Sequence, residues 1–155
     1  MLNLVKEYLK KQEWQYSQIE NKDIFLFSIG GEKGNFQCII DISESEHRLK
    51  FFTISSANAP IEKRNEILEL LNKLNFGFFI GNFEMDPDNG QIRYKTNLSY
   101  QFIEEPNILL LEELIMMNII TMDRCTPSIL GVLYGNLSVD KAIELLEDTE
   151  DKLEE

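Results

Sequence analysis

Hydrophobic positions along the chain recur first at helical spacing, then at strand spacing, then at helical spacing again. Leu2, Leu4, Val5, Tyr8 and Leu9 follow an i, i+3, i+4 rhythm, which predicts a short amphipathic opening helix. Strand-like segments follow: a weak one over residues 14–19, then a strong one over 24–29, dense in aromatic and β-branched side chains. Residues 36–42 place Phe36, Cys38, Ile40 and Ile42 on one face, and residues 48–54 complete a meander. Pro60 is expected to open a helix, where its missing N–H costs nothing, with Ile67, Leu70, Leu71 and Leu74 as its apolar stripe.

Residues 75–85 read as a further strand, in which Gly77 and Gly81 would permit a bulge or close packing. Residues 86–90 are a hairpin turn, and Ile92, Tyr94, Thr96 and Leu98 alternate on the return strand. The last third is helical. Residues 107–122 are apolar on nearly all sides, which an ordinary surface helix is not. Thr126 and Pro127 look like an N-cap and first-turn pair that kinks or restarts the helix, and Ser138 caps a final one. Hairpins in place of strand–helix–strand crossovers imply an α+β fold: an antiparallel sheet, meander plus hairpin, packed with helices.

Charge narrows the partners. The net charge is −12, and the 16 residues from Asp140 to Glu155 carry 2 basic and 8 acidic side chains. Such a field repels phosphate backbones, so no nucleic-acid partner is expected. A solvated helix end explains the acidic tail, with a docking tail for a basic partner as the alternative. Residues 1–147 are expected to form one domain and 148–155 a tail. Charges near the N-terminus interrupt any signal-peptide run, and Glu112 and Glu113 break the most apolar stretch. Neither export nor a membrane span is therefore expected, and the cytoplasm is the expected compartment. Cys38 and Cys125 lie far apart, without metal-ligand spacing, as reduced thiols would.

Candidate chemistry is sparse. Residues 30–34, Gly-Gly-Glu-Lys-Gly, lack the spacing of a phosphate-binding loop and join two strands. Asp86, Asp88 and Asn89 suggest a calcium loop, but Gly90 arrives one residue late and Lys95 falls where a bidentate Glu is required. The lone histidine, His47, sits in a polar turn with nothing nearby in sequence to orient it. Glu112 and Glu113 diverge by about 100° on a helix, so at most one faces inward easily. No catalytic residue, cofactor or metal is expected. What remains is an apolar surplus in residues 76–80 and 114–122, explained either by core packing or by an oligomer seam or peptide groove.

The runs Ala59-Pro60-Ile61-Glu62-Lys63-Arg64, Leu71-Asn72-Lys73-Leu74-Asn75, Gly81-Asn82-Phe83-Glu84-Met85-Asp86 and Gly90-Gln91-Ile92-Arg93-Tyr94 resemble the core pattern of the YbjN family. Residues 127–135 and 137–143 resemble its C-terminal helices, so that the resemblance spans about residues 1–147. It implies a fold like that of type III secretion chaperones, an α+β sandwich that often dimerises. It also implies a role in bacterial sensory-transduction regulation, with no catalytic residues to carry over. The leading expectation is a homodimeric, non-catalytic adaptor or chaperone-like regulator that binds a protein partner. Its interface would draw on Phe76, Phe78 and Ile80, or on Leu114 and Met117. The alternative is a small-molecule or nucleotide sensor with a ligand pocket between sheet and helices.

Overall fold

The computed structural model describes residues 1–151, with side chains to Leu146; the last residues of the expected tail, 152–155, lie outside the described residues. The chain runs α1 (Leu2–Lys11), β1 (Tyr16–Gln18), β2 (Ile24–Gly30), β3 (Asn35–Ser43), β4 (Arg48–Asn58), α2 (Arg64–Gly77), β5 (Asn82–Met85), β6 (Gln91–Ser99), α3 (Ile108–Tyr134) and α4 (Val139–Asp151). The strands form one antiparallel sheet in the order β1-β2-β3-β4-β6-β5, as the meander and hairpin implied.

The four helices pack on one face of the sheet, where alternate strand residues converge on two apolar clusters. One joins α1 and the first half of α3 to Phe25, Phe27, Cys38, Ile40, Leu49 and Phe51. The other joins α2, α4 and the second half of α3 to Phe36, Phe83, Ile92 and Tyr94. Helix α3 crosses both: 27 residues make a rod about 40 Å long at 1.5 Å per residue, and so it needs apolar residues along its whole length. Asn118, fully buried at its middle, donates from Nδ2 to the carbonyls of Phe51 and Tyr94 and to Thr96 Oγ1, tying the helix to β4 and β6.

The opposite face carries the cross-strand row Leu26–Ile39–Phe52–Lys95. Here Arg93 lies 4.5 Å over the Phe52 ring, and Glu84 holds Arg93 at 2.8 Å while also pairing with Lys95. Long cationic side chains thus shield the largest apolar group on that face.

Two sequence expectations are corrected. Residues 75–81 are not strand: α2 runs on to Gly77, a loop follows, and β5 begins only at Asn82. Nor does α3 restart at Pro127, which sits inside a continuous helix. Thr126 is not its cap; its hydroxyl donates back to the Met122 carbonyl, and Ser128 donates to the Ala142 carbonyl of α4. The true cap is Asn107, whose side chain accepts from the N–H groups of Leu109 and Leu110. Pro60 precedes a short 3-10 turn, Ile61–Lys63, that leads into α2.

Candidate functional site

The loop of residues 78–81 is pinned at three points. Phe78 caps α2 and turns inward, its ring 6.0 Å from that of Phe83 and edge-on to Tyr94 at 5.6 Å. The Tyr94 hydroxyl donates to the Ile80 carbonyl. Gly81 adopts a φ of +78°, where a Cβ would lie 2.7 Å from the Lys95 carbonyl oxygen and 2.8 Å from the Tyr94 hydroxyl, so only glycine fits without strain. Pinning the backbone this way leaves Phe76 and Phe79 projecting into solvent, 96% and 105% exposed, with Ile80 partly exposed beside them. Phe76 in the last turn of α2 and Phe79 on the anchored loop thus form an exposed apolar patch.

Tyr94 also connects this loop to α3. Burial pushes its phenol up, while a contact with the Thr121 side chain opposes the shift. Thr121 in turn donates to the carbonyl of Met117, one helical turn earlier. The loop therefore lies beside the stretch of α3 that carries Met117 and Ile120, both substantially exposed. Of the residues singled out from sequence, Phe76, Ile80 and Met117 lie at this surface. Phe78 packs half-buried beneath it, and Leu114 is buried against the sheet, where its carbonyl accepts from Thr96 Oγ1. Phe79 and Ile120, within the two apolar stretches, and Leu109, outside them, are exposed as well. Strand alternation would set Phe79 on the face opposite Phe78 and Ile80; in a loop that rule fails.

A second concavity of about 920 Å³ lies between the β2–β3 turn, α3 and α4, lined by Ile119, Ile120, Pro127 and Leu145 among others. Its rim explains the glycine run. The Asp123 carboxylate accepts from the backbone N–H of Glu32 at 3.0 Å and of Lys33 at 2.8 Å. The N–H groups that would cradle a phosphate are occupied by an acid of the protein itself, so the run is a structural turn. The acidic turn is likewise self-contained. Asp86 Oδ1 accepts from the N–H of Asp88, Asn89 Oδ1 accepts from that of Gln91, and Arg64 donates to the carbonyls of Pro87 and Asp88.

His47 is exposed, at a φ of +51°, with its ring set edge-on to Tyr100. Glu112 pairs with Lys11, and Glu113 is exposed. Burial pushes the Cys38 thiol up to about 12, against a weaker opposing contact from Thr53. Among the described residues no group of three or more potential ligands is placed to hold a metal ion, and no helix is long and apolar enough to cross a membrane.

A family model, YbjN, described as "Putative bacterial sensory transduction regulator", matches residues 2–129. The match ends within α3, so the C-terminal stretch that resembled the family in sequence lies mostly beyond it. The fold is similar to the crystal structure of YbjN, a "putative transcription regulator" from E. coli, with a TM-score of 0.58 at 12% identity, covering 88% of this chain and 91% of that one. It is also similar to a chain in the structure of the HopA1–SchA chaperone–effector complex, with a TM-score of 0.52 at 15% identity, covering 79% of this chain and 88% of that one. No curated protein matches the sequence.

Proposed function

The chain belongs to the YbjN family, and from that premise we propose that it is a non-catalytic protein-binding adaptor or chaperone-like regulator, working in the cytoplasm as a homodimer. The observation that carries this reading is the exposure of Phe76, at the end of α2, and Phe79, on the anchored loop, beside the exposed Met117 and Ile120 of α3. Aromatic and methionine side chains in such a patch are the composition that protein interfaces favour. The likeness to a chaperone–effector complex supports the same class of activity. Residues 1–147 act in this proposal as one domain, with 148–155 as an acidic tail.

Site-specific photo-cross-linking tests it. A photoreactive phenylalanine at Phe79 is expected to capture a discrete protein in the native cytosol, while the same group at Ile61, exposed but outside the patch, captures none. Equal labelling from both positions would sink the reading.

A second reading, a small-molecule sensor, draws on the concavity between the β2–β3 turn, α3 and α4. A metabolite that raises the melting temperature of the wild type but not of Ile120→Trp would favour it.

A further inference from the structure

Burial along one stripe of α3 falls away toward the level where α4 ends. Ser128, Arg124, Ile120 and Met117 are spaced four, four and three residues apart, which puts them on one side of the helix. Ser128 donates to the Ala142 carbonyl of α4 at 2.7 Å and is only 1% exposed. Arg124 is half-buried and lines the concavity together with Leu145 and Leu146. Beyond it, Ile120 is 53% exposed and Met117 44%. We propose that residues 147–155 of the chain itself cover this bare end of the stripe. Leu153 then packs on Met117, and Ile120 sits between Thr149 and Leu153.

The register follows from the helical hairpin. Residues 135–138 join α3 to α4, and α4 runs back along α3. With Ser128 opposite Ala142, each residue forward on α4 is one residue back on α3, at the same 1.5 Å rise. Leu146 thereby comes level with Arg124, with which it shares the concavity, and Leu153, seven residues on, comes level with Met117.

Three observations favour this segment over another occupant. Helix α4 buries Val139, Ala142 and Leu146, at spacings of three and four residues. The next positions in that rhythm are Thr149 and Leu153, and these are the only uncharged residues among the nine from Glu147 to Glu155. Asp148, Asp151 and Glu155 fall on the far side of the helical period, so docking leaves their charges in water. A tethered segment also avoids the loss of translational freedom that a separate molecule bears on binding. Because Met117 and Ile120 belong to the surface proposed for partner binding, the segment competes with the partner there. That role rests on the proposed function; the docking itself does not.

Two measurements on the full chain test it. In Met117→Cys/Leu153→Cys, oxidised glutathione is expected to close an intramolecular disulfide, read by mass spectrometry, while the native cysteines stay buried. Met117→Cys/Asp151→Cys is expected to oxidise about tenfold more slowly, because its second thiol points away from α3. Leu153→Asp is expected to raise the fluorescence of a bound apolar dye about twofold, as Met117 and Ile120 lose their cover. Asp151→Ser should leave that fluorescence unchanged, and thermal unfolding checks that each variant stays folded. Equal oxidation of the two cysteine pairs, or a dye signal that ignores Leu153→Asp, overturns the docking. Partner capture from Phe79 depends on neither result, so failure here leaves the adaptor reading standing, and failure of that capture leaves the docking standing.

Discussion

The side-chain amide of Asn75 brackets the backbone of Phe83: its Oδ1 accepts the Phe83 N–H at 2.7 Å, and its Nδ2 donates to the Phe83 carbonyl at 3.1 Å. Both groups belong to the free edge of β5, the outermost strand of the sheet. A single amide in the last turn of α2 thus does for one residue what a neighbouring strand would do. It also covers an edge that another chain might otherwise extend. Asn75→Ala is expected to cost about 1–2 kcal/mol, since the Phe83 N–H loses its partner and the Phe83 carbonyl keeps only the Asn82 amide at 3.3 Å. Asn75→Asp keeps the acceptor but cannot donate, so it should recover only part of that loss. Urea unfolding of the three proteins checks the order.

The loop after α2 depends on Gly81 for its course. Gly81→Ala is expected to destabilise the protein by roughly 1–3 kcal/mol, from strain at positive φ and crowding against the Lys95 carbonyl. The companion Gly77→Ala meets no atom within 4 Å and should leave stability unchanged or slightly raised. Equal effects at the two glycines, measured by thermal denaturation, would contradict this loop geometry.

These two residues also show where the sequence stops being legible. The strands β2 to β4 and the stripe of α2 were readable because each repeats a local rule, alternation for the one and i, i+3, i+4 for the other. Residues 76–80 satisfy the strand rule by accident, as Phe76, Phe78 and Ile80 alternate with smaller or outward groups. What decides them is remote: Asn75 reaches Phe83, and Tyr94 reaches Ile80. Pro127 stays inside α3 for the same kind of reason: contacts from Ser128 to α4 and from the helix to the sheet outweigh a missing N–H. Composition pointed to residues 76–80 and 114–122, and both stretches carry exposed apolar side chains. The split between Leu114 and Met117 needed the sheet's position, since about 60° of helix rotation separates buried from exposed.

The cysteines are expected to be silent in the folded protein. Cys38 and Cys125 are both buried, and the Cys38 thiol, with its pKa near 12, yields almost no thiolate at neutral pH. Ellman's reagent should find no reactive thiol in native buffer and two after denaturation. Rapid native labelling would refute the burial of these positions.

The Glu84 cluster on the helix-free face predicts a specific acid sensitivity. Burial raises the Glu84 carboxyl, but bonds and charges from Lys95 and Arg93 together outweigh it and hold the group below its ordinary value. A carboxyl lowered in the folded state contributes stability above its unfolded pKa, about 4.3, and loses it as pH falls through the lower folded value. The stability gap between wild type and Glu84→Gln should therefore be constant from pH 6 to 8, by the linkage relation, and close progressively below about pH 4. Denaturant unfolding at each pH measures it, and a gap that widens in acid would reverse the sign.

Three phenylalanines within four residues provide the sharpest separation of surface from support. Phe76 and Phe79 touch solvent on almost all sides, so the pair Phe76→Ser/Phe79→Ser is expected to change stability by no more than about 0.5 kcal/mol. Phe78, packed against Phe83 and Tyr94, holds the loop down, and Phe78→Ala is expected to cost about 2–3 kcal/mol, somewhat less than a fully buried ring. The same variants should divide in the opposite sense in binding. Phe76→Ser/Phe79→Ser removes the exposed apolar surface and should lower the fluorescence of a bound apolar dye, together with partner capture from α3. Loosening the loop through Phe78→Ala should leave that fluorescence equal or higher. Unfolding and dye binding measured on the same preparations would thus show whether this loop is a displayed surface; a large stability loss in the Phe76/Phe79 pair would place those rings in the core instead.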